Sequence, residues 1–224
     1  DVTGVYMKNW SQDLPGIKCP WADDLADAKR VAVQLGIDFK VFDFEKDYKH
    51  LVVDYMIDAY KNGITPNPDI MCNQEVKFKL FLEAAIQDGA DYIAMGHYAR
   101  VKHSANIGDS ATISSEQFRA GSIKGLGALL NSGSKSSDET VAKSPSSFGT
   151  LLRAVDDNKD QTYFLYRVTG EALAKTLFPI GEYTKPEVRV MARARGLKKE
   201  KKKDSQGICF VGQVGIKEFL SMYV

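Results

Sequence analysis

Cysteine is scarce in this 224-residue chain: there are three, an odd number, and no two form a Cys-x-x-Cys pair. That argues against a secreted disulfide scaffold and against a structural zinc site, and for a reducing compartment. Long apolar runs are missing as well. None approaches the ~20 residues that cross a bilayer, so no membrane partner is expected. The opening Asp1-Val2-Thr3-Gly4-Val5-Tyr6-Met7 has neither a basic head nor a small-residue cleavage site. No signal peptide is therefore expected, and the cytoplasm (or an organelle matrix in a eukaryote) is the expected location. An excess of one charge is also absent. The formal net charge of +1 gives no global attraction to nucleic acid, so any RNA site has to be a local basic patch. There is no internal repeat.

What is present is enough apolar material, 44% of residues, to bury a real core. The length allows one large domain, or one domain with part of another. Val2, Val5 and Tyr6 read as a buried strand already under way, without an initiator Met. Gly215 to Val224 reads as a helix cut short. The expectation is an internal piece of a longer protein.

The first hundred residues alternate strand and helix. A strand is expected over Val2–Met7. A helix follows over Ala22–Leu35, with Leu25, Ala28, Val31 and Leu35 on one face and Gly36 closing it. Ile37–Phe44 is the next strand. The helix after it, Lys46–Asn62, carries Tyr48, Leu51, Tyr55 and Ala59 on a stripe and stops at Gly63. Thr65-Pro66-Asn67-Pro68-Asp69 reads as a rigid loop, and a helix capped by Asn73 runs on to Gly89. Asp91–Met95 is a short buried strand leading into Gly96-His97-Tyr98. Such alternation predicts an α/β fold, an open and mostly parallel sheet with helices on both faces. Ser104 to Gly149 breaks the pattern with a Ser-, Gly- and Lys-rich insertion expected to be flexible. A strand then returns at Leu151–Val155, with helices within Gln161–Val168 and near Glu171–Leu177. Thr184-Lys185-Pro186-Glu187 is a capping box opening a helix that Gly196 closes. The expected division is a nucleotide-binding catalytic domain over 1–168 and a helical segment over 169–224 carrying the last cysteine.

Chemistry concentrates at Cys72 and Cys209, which lie at junctions between loops and elements, where a substrate can reach a thiolate. With a helix starting at Asn73, Cys72 would lie beside unpaired N–H groups that lower its pKa. Asp69, three residues earlier, can take a proton or orient a substrate. Cys209, beside Gly207, follows the basic run Lys198–Lys203, which favours a thiolate and attracts a polyanion. Each cysteine also has a plainer reading as a buried filler. Cys19 is given no role. Gly96 at a strand end lets a ligand approach the backbone, and His97 can donate to a phosphate or base; the alternative is a tight turn with a packed ring. In Asn158-Lys159-Asp160-Gln161, Lys159 can meet phosphate while Asp160 and Gln161 can bond base or ribose edges. Asp160 as an ordinary helix cap is the competing reading.

Taken in order, Val5-Tyr6-Met7-Lys8-Asn9-Trp10, Thr65-Pro66-Asn67-Pro68-Asp69-Ile70-Met71-Cys72-Asn73, Met95-Gly96-His97-Tyr98-Ala99, Lys159-Asp160-Gln161-Thr162-Tyr163-Phe164-Leu165, Leu177-Phe178-Pro179-Ile180-Gly181 and Ser205-Gln206-Gly207-Ile208-Cys209-Phe210 resemble the tRNA-specific 2-thiouridylases. These are ATP-pyrophosphatase-type enzymes that place sulfur on the wobble uridine of tRNA. The resemblance covers nearly all of the chain outside the insertion. It implies that ATP, with Mg2+, activates the C2 oxygen of uridine as an adenylate. It implies that Cys209 receives sulfur as a persulfide from a donor protein, and that Cys72 closes a disulfide with Cys209 as AMP leaves. Asp69 would act as acid and base, Asn67-Pro68-Asp69 would touch the target uridine, and Met7 and Gly96 would line the nucleotide pocket. His97, Lys159, Asp160 and Gln161 would meet the tRNA. The target base has to leave its stack, which is easiest in a single-stranded anticodon loop.

The chain departs from that family in three ways. Its Gly- and Ser-rich phosphate loop would lie before Asp1, its C-terminal β-rich domains would lie after Val224, and the insertion replaces a short strand-loop-strand connection. On that basis the fragment alone is expected to bind ATP poorly and to be inactive. Two other classes compete: a thiol–disulfide oxidoreductase using Cys72 and Cys209 without ATP, and a non-catalytic RNA- or nucleotide-binding module. A variant of the enzyme reading has the thiols and Asp69 hold an iron–sulfur cluster. The polar groups at Gly96-His97 and Lys159–Gln161 separate the enzyme from a simple redox pair, which needs neither.

Overall fold

The computed structural model describes residues 1–13, 19–104, 148–197 and 219–221. Strand β1 (Thr3–Lys8) pairs in parallel with β2 (Asp38–Asp43), with Thr3 opposite Asp38 and Lys8 opposite Asp43. Parallel neighbours need a crossover, and helix α1 (Trp21–Leu35) supplies it. Gly36 ends α1 in the left-handed region, φ 65°, as the sequence predicts.

Two long helices follow, and each is wider in the middle than at its ends. The first runs as α2 (Glu45–Tyr48), a π-helical stretch (Lys49–Asp54) and α3 (Tyr55–Lys61). Its buried side chains are Tyr48, Val52, Val53, Met56 and Ile57, whereas Tyr55, expected on the buried stripe, is exposed. A π turn holds more residues than the 3.6 of an α-helix, so a stripe drawn at α periodicity drifts off the core beyond it. The second long helix is α4 (Pro68–Met71), a π-helical stretch (Cys72–Leu80) and α5 (Phe81–Gln87). It packs on β2 through Phe81 against Phe42, ring centroids 6.0 Å apart.

Strand β3 (Ile93–Ala94) pairs in parallel with β6 (Thr176–Leu177), so the segment expected to be helical near Glu171–Leu177 contains a strand. A shorter helix, α6 (Gly170–Ala174), precedes it, capped by Thr169, whose hydroxyl accepts from the Ala172 N–H. Thr176 is fully buried, and its hydroxyl donates to the Ala172 carbonyl at 2.8 Å. Tertiary pairing with Ile93 overrides local helix preference there. Strands β4 (Arg100–His103) and β5 (Gly149–Leu152) are antiparallel, and a Ser104 N–H to Phe148 carbonyl bond extends them. The two flanks of the insertion therefore meet, although residues 105–147 lie outside the described set. Over Gln161–Val168 the expected helix is only a 3-10 turn, Thr162–Phe164. Helix α7 (Lys185–Ala194) opens with the Thr184 N–H donating to Glu187 Oε2 at 2.7 Å, the predicted capping box.

The fold is α/β. The described strands form three two-stranded pairs, and one apolar cluster links them, from Phe44 and Val52 through Phe81 and Ile93 to Phe178. Among the described residues no helix is long and apolar enough to cross a membrane. The turn after β6 depends on Gly181. A Cβ there would lie 1.7 Å from the Ala99 carbonyl oxygen. Gly181→Ala is expected to cost about 3 kcal/mol or more, because neither backbone can give way. Urea unfolding of the variant measures this, and an unchanged midpoint would contradict the packing.

Candidate functional site

The site is built around the start of the second long helix. Asn67 is its N-cap: the Oδ1 accepts from the Asp69 N–H at 3.1 Å and the Ile70 N–H at 3.3 Å. Pro68 takes the first helical position, where its missing N–H costs nothing. The helix cap therefore lies six positions before Asn73, which corrects the expected start. Cys72 falls after the first turn, 2% exposed, and is not beside free N–H groups. Helix-end activation of its thiol is thus removed as an explanation.

Asp69 sits in the first turn, half-buried. The helix end favours its anion, yet burial pushes its carboxyl pKa up, with the Lys77 charge pulling partly back. A carboxyl group in that balance is suited to exchanging a proton.

Asn73 is a tie rather than a cap. Its side chain is 2% exposed, and its Nδ2 donates to the Phe164 carbonyl at 3.0 Å. That bond fastens the segment after Lys159 to the Cys72 helix. Arg167, farther along the same segment, points its Nη1 at Met71 Sδ, 3.6 Å away. The segment is also fastened to the loop after β3: the Tyr98 N–H donates to Gln161 Oε1 at 2.9 Å, and the Gln161 N–H donates to the Tyr98 carbonyl at 2.8 Å.

Three of the expected contact residues thus have structural work inside the protein. Asp160 accepts from the Ala154 N–H at 3.0 Å and the Thr162 hydroxyl at 2.8 Å, and pairs with Arg153 Nε at 3.3 Å. Its pKa is lowered: burial acts upward, and these bonds together outweigh it. Asp160 braces this turn without being its cap: Gln161 holds the N-cap position of the 3-10 turn, and no side chain caps it. Gln161 gives its acceptor and its N–H to Tyr98. His97 is a packed ring, its centroid 5.7 Å from that of Phe78 and 6.2 Å from that of Phe178. Burial, and secondarily Lys77, push its pKa down to about 3. It meets any partner as a neutral imidazole, not as a cation.

Met7 ends the core-facing part of β1, opposite Phe42, and Gly96 follows β3. Both are at the carboxyl ends of parallel strands, where ligands of open α/β sheets bind. Among the described residues, a Cβ at Gly96 would meet no atom within 4 Å. Lys159 is half-buried, with its N–H donating to the Asp156 carbonyl. Cys209 and the Lys198–Lys203 run lie outside the described residues. Among the described residues no cluster of three His, Cys, Asp or Glu side chains could hold a metal.

Sequence reasoning did not single out Lys77, Arg167 or the tie made by Asn73. The Asn67 cap was legible: Asn followed by Pro and an acid is a helix-start signal. The Asn73 tie was not, because its partner is a backbone carbonyl far along the chain.

Residues 1–122 and 135–213 match the tRNA methyl transferase HUP domain. Relatives named tRNA-specific 2-thiouridylase MnmA align with the whole chain. That of Akkermansia muciniphila is 41% identical over 226 residues, covering 52% of the relative. Those of Bacillus thuringiensis strain Al Hakam and Bacillus anthracis are each 42% identical over 224 residues, covering 49%. The chain spans about half the length of these curated relatives.

The packed His97 makes a pH prediction. The folded ring binds a proton at about 3, against 6.5 for a free imidazole. Between those values the unfolded chain holds more protons, so stability present above 6.5 is lost as the pH falls toward 3. His97→Phe keeps a flat ring between Phe78 and Phe178 and removes the titration. The loss of unfolding free energy between about pH 7 and about pH 4 is expected to shrink by ~2 kcal/mol in the variant. Parallel urea-derived profiles for the two proteins would contradict it.

Proposed function

The chain belongs to the tRNA methyl transferase HUP domain family, and on that premise we propose that it is the catalytic part of a tRNA-uridine 2-sulfurtransferase. The observation that carries the reading is the clamp described above. Asp69 and Cys72 share one capped helix start, and that helix is tied to the Lys159–Phe164 segment, which is tied in turn to the Gly96–Tyr98 loop. Residues far apart in sequence are thereby gathered around one acid and one thiol. The name of the relatives, tRNA-specific 2-thiouridylase, supports the same reaction for the full-length parent.

In this reading β1–β2 and β3–β6 are parts of one open, mostly parallel sheet with helices on both faces. The single apolar core containing Val5, Phe42, Ile93 and Phe178 supports that. Residues 1–168 form the nucleotide-binding domain, and 169–224 carry the second cysteine. Met7 and Gly96 stand at one sheet edge and line the nucleotide pocket, and the open space beside Gly96 leaves room for a flat ring. ATP, with Mg2+, supplies the activation that turns the C2 oxygen of uridine into a leaving group.

Asn67, Pro68 and Asp69 face the target uridine of an anticodon loop. Burial raises the Asp69 pKa above the ordinary carboxylate value, which suits the group to hold and pass on a proton. Cys209 carries the incoming sulfur as a persulfide delivered by a donor protein, and Cys72 ends the cycle by forming a disulfide with it. His97 and Lys159 meet the tRNA, with Asp160 and Gln161 holding that surface in shape.

Mass spectrometry of tRNA nucleosides tests the proposal. A strain lacking the gene, and lacking any second thiolating enzyme, is expected to lose 2-thiouridine. The full-length parent should restore it, while Cys72→Ser and Cys209→Ser versions should fall short by ~100-fold or more. Normal 2-thiouridine in the deletion strain, or full restoration by either serine variant, overturns the reading.

A further inference from the structure

Cys72 opens the π-helical stretch Cys72–Leu80. In a π-helix the N–H of residue i+5 bonds back to the carbonyl of residue i, and this stretch closes on such a bond, Phe81 N–H to Val76 carbonyl. A π turn holds more than four residues but fewer than five, so Val76 and Lys77 flank the position one turn on from Cys72. In a regular α-helix Lys77 would be turned about 140° away from it. Side chains on a helix also lean toward its N-terminus, over the preceding turn. For Lys77 that turn is the one holding Cys72.

The electrostatics agree with this direction. The Lys77 charge bears on Asp69, in the turn before Cys72, and on His97. Among the described residues no carboxylate lies within ion-pair distance of Lys77. Its neighbour Glu75 is held by Lys79 at 2.8 Å. Lys77 is half-buried, and Cys72 lies in the core beneath it.

We propose that Lys77 is a positioning residue of this site, its ammonium lying back over the first turn of the π-helical stretch and holding the Cys72 sulfur as a thiolate. The proton released by the thiol goes to solvent, and no other bond is made or broken. The inference deepens the proposed function, in which Cys72 must act as a nucleophile, and it replaces the helix-end activation that the position of Cys72 rules out. Nearby lysine charge is an established cause of low thiol pKa.

Other ionisable groups packed around this helix do not substitute for it. His97 is neutral. Lys49 and His50, on the first long helix, face Asp54. Glu171 on α6 is exposed, and Tyr48 from α2 brings a buried phenol. Asp69 is an acid whose pKa burial raises, and a carboxyl group does not favour a thiolate. Arg167, beside Met71, is the second cation in the neighbourhood and serves as the control.

The test is a pH titration of thiolate ultraviolet absorbance in the full chain carrying Cys19→Ser and Cys209→Ser, so that Cys72 is the remaining thiol. Lys77→Met is expected to raise the midpoint by about one pH unit, a tenfold loss of thiolate below it. Lys77→Arg should titrate like the parent, and Arg167→Gln should shift the midpoint less than Lys77→Met does. If Lys77→Met fails to fold by circular dichroism, Lys77→Gln is read the same way. An unchanged midpoint in the neutral variant overturns the proposal. So does a Lys77→Arg midpoint as high as that of Lys77→Met, which marks a packing role. The titration needs neither ATP nor tRNA. Its failure leaves the sulfurtransferase reading standing, and normal 2-thiouridine in the deletion strain would sink that reading without touching Lys77.

Discussion

The buried amide of Asn73 holds the site together. It donates to the Phe164 carbonyl across 91 positions of sequence, at 3.0 Å. The Asn73 side chain is shielded from water, so losing the bond would leave a buried polar group unpaired at a cost of about 1–3 kcal/mol. The paired bonds between Gln161 and Tyr98 extend the same constraint to the loop after β3. Without these bonds the Cys72 helix, the Gly96–Tyr98 loop and the Lys159–Phe164 segment would be separate surface features.

Burial then sets the charge states within that assembly. The Asp69 carboxyl is pushed toward its neutral acid, although it sits at a helix end that favours the anion. The His97 imidazole is pushed toward its neutral base between two phenylalanine rings. Lys77 lies half-buried on the same helix as Asp69. Desolvation outweighs the helix dipole at this position because the dipole acts through partial charges near the first turn, whereas burial penalises the full charge of the group.

The departures of the helices from regular geometry matter for the same reason. A π turn rephases every residue after it. It moves Tyr55 off the core in the first long helix, and in the second it turns Lys77 closer to the side of Cys72 than a regular α-helix would. Periodicity at 3.6 residues cannot anticipate that shift, because it assumes the regular turn throughout.

Much was legible in the chain by itself. The alternation of strands and helices, the stops at Gly36 and Gly196 and the capping box at Thr184–Glu187 follow from local chemistry, since caps and glycine turns are satisfied by residues a few positions apart. The order of the motifs marked Asp69, Cys72, Gly96 and His97 as a group. Tertiary structure alone decided that Thr176–Leu177 is a strand, that His97 is a packed neutral ring, and that Asp160 and Gln161 brace a loop. It also decided that Asn73 ties instead of capping. Each of these depends on a partner distant in sequence, and a buried group's bonds and charge are set by that partner and by the loss of water, neither of which is written in the neighbouring residues.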